Sequence, residues 1–447
     1  MEAAMLIREL EKTRIDGAVL GSGHVDYDDH RKVWNAIADR RPSAIVRAQN
    51  VRDVTKTIAI AANHEVVLAV RSGGHSLPGL STCDNGIVLD LSAMNEVVVD
   101  PIARTAEVGG GALLQHLDAA GSRARLATPA GLVSHTGVAG LTLGGGMGWL
   151  SRRFGLTIDN LLAADVVTAD GQLIQTSADT EPDLFWGIRG GGGNFGVVTK
   201  FRFRMHSLDQ VVVGMWESPT SDCQGALGVY QELARNAPRE LTTSFTLTSS
   251  SLVVTAVWSG TSDRADTSLA PFGRLGRAVS GSYSSMAYVD LQKRNDDHLC
   301  WGRRCYAKGG YFGEITSNVI KCMKDAIASS PSPDSEIYVI QLGGAIADVA
   351  ESATAYSGRE ASYYWIADAI WDDKTDDPRC IAWARSTAAR LAALSLSGNY
   401  VNEQADAGKD VAFSAYGAEK YRKLARLKAR FDPTNLFRLN QNIEPKP

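Results

Sequence analysis

The chain has 447 residues, of which 44% are hydrophobic and 21% charged, with a formal net charge of −4. That is the balance of a globular protein of two or three domains, and it argues against a nucleic-acid partner. Six cysteines with no CxxC pair and no histidine at ligand spacing argue against a disulfide framework and a metal site. No apolar run reaches the length of a membrane helix. The start is a short charged segment unlike a signal peptide, so a cytoplasmic location is expected.

Residues 1–15 carry apolar residues at helical spacing, and 42–46 reads as a strand entered after Pro42. Val51 to His64 reads as a helix with Asn50 as its N-cap. The apolar run 66–70 reads as a buried strand and is followed by Arg71-Ser72-Gly73-Gly74-His75-Ser76. Two glycines after a strand let the backbone turn its N–H groups toward an anion, and His75 is then held close to the ligand. A plain strand-to-loop turn with a surface histidine fits the same six residues. A strand at 86–91 completes a β-α-β arrangement, and a hairpin around Pro101 follows. Gly109-Gly110-Gly111 then opens a helix, a second possible anion site.

Glycine is densest between Thr128 and Asn160, at 131, 137, 140, 144, 145, 146, 148 and 155. Interior glycine costs roughly 0.5–1 kcal/mol each, so this density points to backbone wrapped around a large ligand. A hairpin with an Asp170-Gly171 turn comes next, then a third glycine cluster at 190–193 and a strand at 199–204. Beyond His206 the clusters stop. Strands at 242–248, 252–258, 336–342 and 363–371 mix with helical patterns at 224–236, 317–330 and 379–394. This reads as an antiparallel sheet with helices on one face. A helix over 416–431 ends at Asp432-Pro433.

Five blocks in order resemble the FAD-linked oxidases of the vanillyl-alcohol oxidase superfamily, in the branch of berberine bridge enzyme and 6-hydroxynicotine oxidase. They are RSGGHS at 71–76, GIVLDLS at 86–92, GVAGLTLGGGMGWLSRRFGLTIDNL at 137–161, DLFWGIRGGGGNFGVVTKFRFR at 183–204 and YRKLARLKARFDPTNLFRLNQNI at 421–443. The resemblance implies an α+β fold. Its FAD-binding domain is in two parts, 1–205 and 412–447, and an inserted substrate domain spans 206–411. It also implies that His75 is bonded to the flavin 8α-methyl group. Many members add a second bond through a cysteine where this chain has Val133, so a single covalent link is expected.

The resemblance places FAD against Arg71, Ser72, Gly73, Gly74, His75, Ser76, Thr136, Gly137, Gly140, Gly144, Gly145, Gly146 and Gly148. It adds Asn160, Gly196, Val197, Val198, Tyr400, Asn402 and Asn440. Thr136 stands where the family controls oxygen access to the flavin. The pair His135-Thr136 resembles a bacterial subgroup that forms a flavin-N5-oxide and oxygenates its substrate. Tyr400 and Asn402 match a Tyr-x-Asn segment facing flavin and substrate, and Tyr400 is the expected proton acceptor, with His135 and Thr136 beside it. Gln441 and Asn442 belong to a motif near the ring. Tyr356 reads as packing, and Tyr363 and Trp365 alternate on a strand that either lines the substrate pocket or packs the core.

The expected activity is oxidation of a small-molecule alcohol, amine or secondary metabolite, with hydride passing to FAD and O2 giving H2O2. The alternative is an N5-oxide oxygenase of secondary metabolism. The expected partners are the small-molecule substrate and O2, with no nucleic acid and no membrane, in a monomer or homodimer.

Overall fold

A computed structural model describes residues 3–279 and 283–446. The larger sheet is organised by the strand Tyr363–Trp371, every residue of which is buried. It pairs antiparallel with Glu336–Gln341 on one side and Arg304–Phe312 on the other. Leu241–Leu247, Ser251–Trp258, Gln210–Pro219 and Arg277–Ala278 continue the sheet, and Ser284–Ala287 also pairs with Gln210–Pro219. Helices Cys223–Arg235, Ser317–Ile327 and Asp377–Ala392 cover one face.

Period-two alternation sorts the two faces. Tyr363, Trp365, Ala367, Ala369 and Trp371 enter the core under the helices. Tyr364 and Ile366 face the other way, with Tyr311, Ile340, Tyr356 and Tyr400. Tyr363 and Trp365 therefore pack the core, and the neighbouring set of residues looks toward the rest of the molecule. Two long strands of this sheet, Gln210–Pro219 and Arg304–Phe312, were not foreseen, nor were the short Arg277–Ala278 and Ser284–Ala287. Gly309 and Gly310 mask Arg304–Phe312 as a break. They are there because a Cβ at Gly309 would lie 2.0 Å from the Tyr364 hydroxyl, and one at Gly310 2.9 Å from the Trp365 ring.

The remainder holds a four-stranded sheet, a five-stranded sheet and a two-stranded pairing of Leu126–Ala127 with His206–Ser207. Ala44–Arg47, Ile87–Asp90 and Leu68–Arg71 run parallel, with Ala18–Leu20 antiparallel at the edge. Helix Val51–Asn63 connects the first and last of the parallel strands, and Asn50 caps it by accepting from the Asp53 amide at 3.1 Å. The second sheet is antiparallel, in the order Val97–Asp100, Thr105–Gly109, Val197–Arg204, Leu161–Val167, Leu173–Ser177. The C-terminal helix, Lys409–Phe431, is kinked at Gly417 and packs Tyr421, Leu424 and Leu427 into this sheet's core. In its last turn, fully buried Lys428 pairs with Asp432 at 2.6 Å and donates to the carbonyls of Asn194 and Phe437.

Buried arginines tie the large sheet to these smaller ones. Arg359 holds Asp159 through two bonds of 3.0 and 2.7 Å. Arg152 donates to the carbonyls of Leu241 and Leu342. The whole is α+β. Among the described residues, no helix is long and apolar enough to cross a membrane.

Candidate active site

Strand Leu68–Arg71 delivers the first loop. Buried Arg71 pairs with buried Asp90 at 2.7 Å and donates to the carbonyls of His30 and Lys32, so its charge fixes the strand end. Gly73 lies against Gly137 of the second loop. A Cβ on Gly73 would be 2.3 Å from the Gly137 nitrogen, and one on Gly137 would be 2.4 Å from the Gly73 nitrogen and 2.7 Å from Ser72 Oγ. Only two glycines permit this contact. Gly74 has φ +71° and accepts from the Trp34 amide at 3.0 Å. Ser76 Oγ accepts from the Leu80 amide.

His75 is thereby held against His135, with Nε2 2.7 Å from the His135 Nδ1. Trp34 stacks on the His75 ring at 5.2 Å, and Trp301 meets it edge-on at 6.0 Å. Burial, with a smaller push from His135, lowers the His75 pKa to about 3, so the imidazole is neutral at neutral pH. Burial also lowers that of His135, against the opposing pull of Asp296. Thr136 follows, its carbonyl accepting from the Leu114 amide at 2.9 Å, and Gly137 begins helix Val138–Gly144. Buried Val133 stands two residues before His135.

The glycines at 144–148 make room for protein. A Cβ at Gly144 would strike the Asn402 amide, at Gly145 the Tyr356 ring, at Gly146 the Thr157 hydroxyl and at Gly148 the Ala130 carbonyl, each within 2.7 Å. The Tyr400 hydroxyl accepts from the Gly146 amide at 3.0 Å and from Asn402 Nδ2 at 2.8 Å. Asn402 also donates to the Leu141 carbonyl. Burial holds the Tyr400 phenol well above its ordinary pKa.

Asn160 spends its side chain on the carbonyls of Phe154 and Leu156 and on His206, so it braces the loop rather than offering a group to a cofactor. Gly196, at φ +154°, fits beneath the Val167 carbonyl, and Val197 and Val198 are paired strand residues.

Two family models match this chain, an FAD binding domain over residues 42–177 and a berberine and berberine-like segment over 399–444. An FAD-linked oxidoreductase of Dictyostelium discoideum is 32% identical over 436 residues, covering 96% of this chain and 95% of its own. The chain belongs to the berberine-bridge-like FAD-linked oxidoreductases. The (R)-6-hydroxynicotine oxidase of Paenarthrobacter nicotinovorans is 30% identical, with 97% of each chain covered. The crystal structure of 6-hydroxy-D-nicotine oxidase from Arthrobacter nicotinovorans superposes with a TM-score of 0.85 at 27% identity, covering 97% of this chain and 98% of that one. A berberine-bridge-like protein of Physcomitrella patens shares the fold, with a TM-score of 0.90, 23% identity and 99% of each chain covered.

The residues present suit FAD. At Gly140 and Gly193 a Cβ would meet nothing of the chain within 4 Å, which leaves open backbone for a ligand to approach. Ser72 Oγ, Asn440 Oδ1, Gln441 Oε1 and Asn442 Oδ1 are buried without a partner among the described residues. Such atoms call for a polar ligand. Among the described residues, no group of three or more His, Cys, Asp or Glu is placed to hold a metal.

The sequence reading missed two carboxyls on the sheet face shared with Tyr400. Asp368 is 8% exposed and accepts from the Cys305 thiol at 3.0 Å. Glu403 lies beside the Tyr364 hydroxyl, and the Tyr364 ring meets Tyr400 edge-on at 5.7 Å. Burial pushes both acids up to about 7. The alternation of 363–371 contained Asp368, on the side opposite Tyr363 and Trp365. Glu403 immediately follows the Tyr400-x-Asn402 motif.

Proposed function

We propose that the chain oxidises a small-molecule alcohol or amine by hydride transfer to FAD attached through His75, with O2 carrying the electrons off as H2O2. Bound FAD supplies the two-electron acceptor. The chain's own residues hold the substrate and move its proton. The observation that carries this reading is the placement of two carboxyls, buried Asp368 and half-buried Glu403, on the side of the sheet that Tyr364 shares with Tyr400, where desolvation lifts both toward neutrality. A general base works best with its pKa near the operating pH.

Asp368 or Glu403 takes the hydroxyl or amine proton as hydride leaves the adjoining carbon, so the substrate loses two electrons and two hydrogens. Tyr400 has a different part from the base first expected of it. Its oxygen accepts two N–H groups, and its high pKa keeps its own proton in place to hydrogen-bond the substrate heteroatom. His135 faces His75, which removes it from substrate chemistry. His75 has its Nε2 engaged by His135, and no hydrogen bond among the described residues reaches its Nδ1, the nitrogen left for the flavin. The oxidase activity of the relative named for 6-hydroxynicotine supports the reaction type.

The test is anaerobic mixing with a panel of secondary alcohols and cyclic amines, followed by admission of air. Bleaching of the flavin by one class, then one H2O2 per turnover, is expected. Reduction followed by reoxidation without peroxide defeats the oxidase reading.

A further inference from the structure

The loop that carries His135 is gripped from one side by a single segment. Gln292 Nε2 donates to the Gly131 carbonyl at 3.0 Å, and Asn295 Nδ2 to the Leu132 carbonyl at 3.2 Å. Asp296 accepts twice from the next polar residue, from the Ser134 amide at 2.8 Å and from Ser134 Oγ at 2.5 Å. Paired hydrogen bonds to an ionised acceptor are the strong ones and fix geometry as well as energy. All three anchors lie in the four residues before His135. This grip holds the His135 Nδ1 2.7 Å from His75 Nε2, and His135 Nε2 is buried without a partner among the described residues.

We propose that His135, oriented by Asp296, accepts the proton that leaves His75 when the flavin becomes attached to it. This rests on the reading above that His75 is the attachment point. Attachment forms a bond between His75 Nδ1 and the 8α carbon of the flavin. That carbon loses one hydrogen, and the imidazole loses the hydrogen on Nε2. The two electrons released pass to the flavin and then to O2, which with two protons becomes H2O2. A neutral imidazole that bonds through Nδ1 becomes acidic at Nε2, where His135 waits with a lone pair. The charge of Asp296, fixed on Ser134 beside His135, raises the affinity of His135 for that proton. Asp296 is a positioning residue, because it touches neither His75 nor the flavin's place.

The experiment adds FAD to apoprotein in air and follows covalent attachment by flavin fluorescence of the denatured chain. Non-covalent FAD binding is measured alongside, by quenching. His135→Ala is expected to bind FAD but attach it about 10²-fold more slowly, the usual weight of a lost proton acceptor. Added imidazole is expected to restore part of that rate, which a purely structural role for His135 would not allow. Asp296→Asn keeps an acceptor for the Ser134 amide, turns its NH2 toward Ser134 Oγ and loses the charge, so attachment is expected to slow, by less than in His135→Ala. If His135→Ala does not fold, His135→Gln carries the same test. Attachment at the wild-type rate in the His135 and Asp296 variants, or no rescue by imidazole, overturns the proposal alone. Wild-type protein that releases all its flavin on denaturation overturns the attachment reading and this proposal with it.

Discussion

Replacing Asp368 by asparagine tests the buried carboxyl through stability, independently of turnover. Burial holds the Asp368 pKa at about 7, against about 3.9 for an exposed aspartate. The folded chain therefore binds a proton that the unfolded chain has already lost. Stability falls as pH rises through the unfolded value, and the loss is complete above the folded value. Three pKa units correspond to about 4 kcal/mol, of which about 2 kcal/mol accrues between about pH 5 and pH 7. The amide of the variant carries no such proton, and its oxygen can still accept from the Cys305 thiol. The assay is urea unfolding of both proteins at several pH values, with the difference in midpoint read against pH. The variant is expected to gain on the wild type steadily from about pH 5 to pH 7 and then hold level. A difference that is flat with pH means that Asp368 is ionised throughout, and its candidacy as the proton acceptor fails. Of Asp368→Asn and Glu403→Gln, the variant that removes the proton acceptor is expected to reduce its flavin with substrate at least about 10²-fold more slowly.

Two glycines separate packing from ligand space. Gly73→Ala forces a Cβ to 2.3 Å from the Gly137 nitrogen, so a lower thermal midpoint and lost flavin are expected together. Gly140→Ala meets nothing of the chain, so an unchanged apoprotein midpoint with weakened FAD binding is expected, by calorimetry and titration. Tyr400→Phe leaves the Gly146 amide without its acceptor and Asn402 with the Leu141 carbonyl alone, which costs about 1–3 kcal/mol in chemical unfolding and slows flavin reduction. Arg359→Ala strands Asp159 as a buried charge, so a loss of about 3–5 kcal/mol in unfolding free energy is expected.

Much of the scaffold was legible because its signals are local. Asn50 caps the helix it was expected to cap, and the Asp170-Gly171 turn joins its two strands. The Tyr363–Trp371 strand was found from its alternation, but alternation does not say which set faces inward. That depends on helices more than a hundred residues apart in sequence, such as Cys223–Arg235 and Asp377–Ala392. The glycine-rich stretch was legible as close approach, yet the approaching group at 144–148 is Tyr356, Asn402 and Thr157 from elsewhere in the chain. Asp296 and Trp34 carried no motif. They matter only because folding brings residues 134 and 75 beside them.

The most direct test of the account is the mass of the acid-denatured holoprotein and of its peptides. One FAD per chain, carried on the peptide that contains His75 and absent after His75→Ala, is the predicted result. An unmodified chain with all the flavin free in the supernatant, or flavin carried on any other residue, contradicts it.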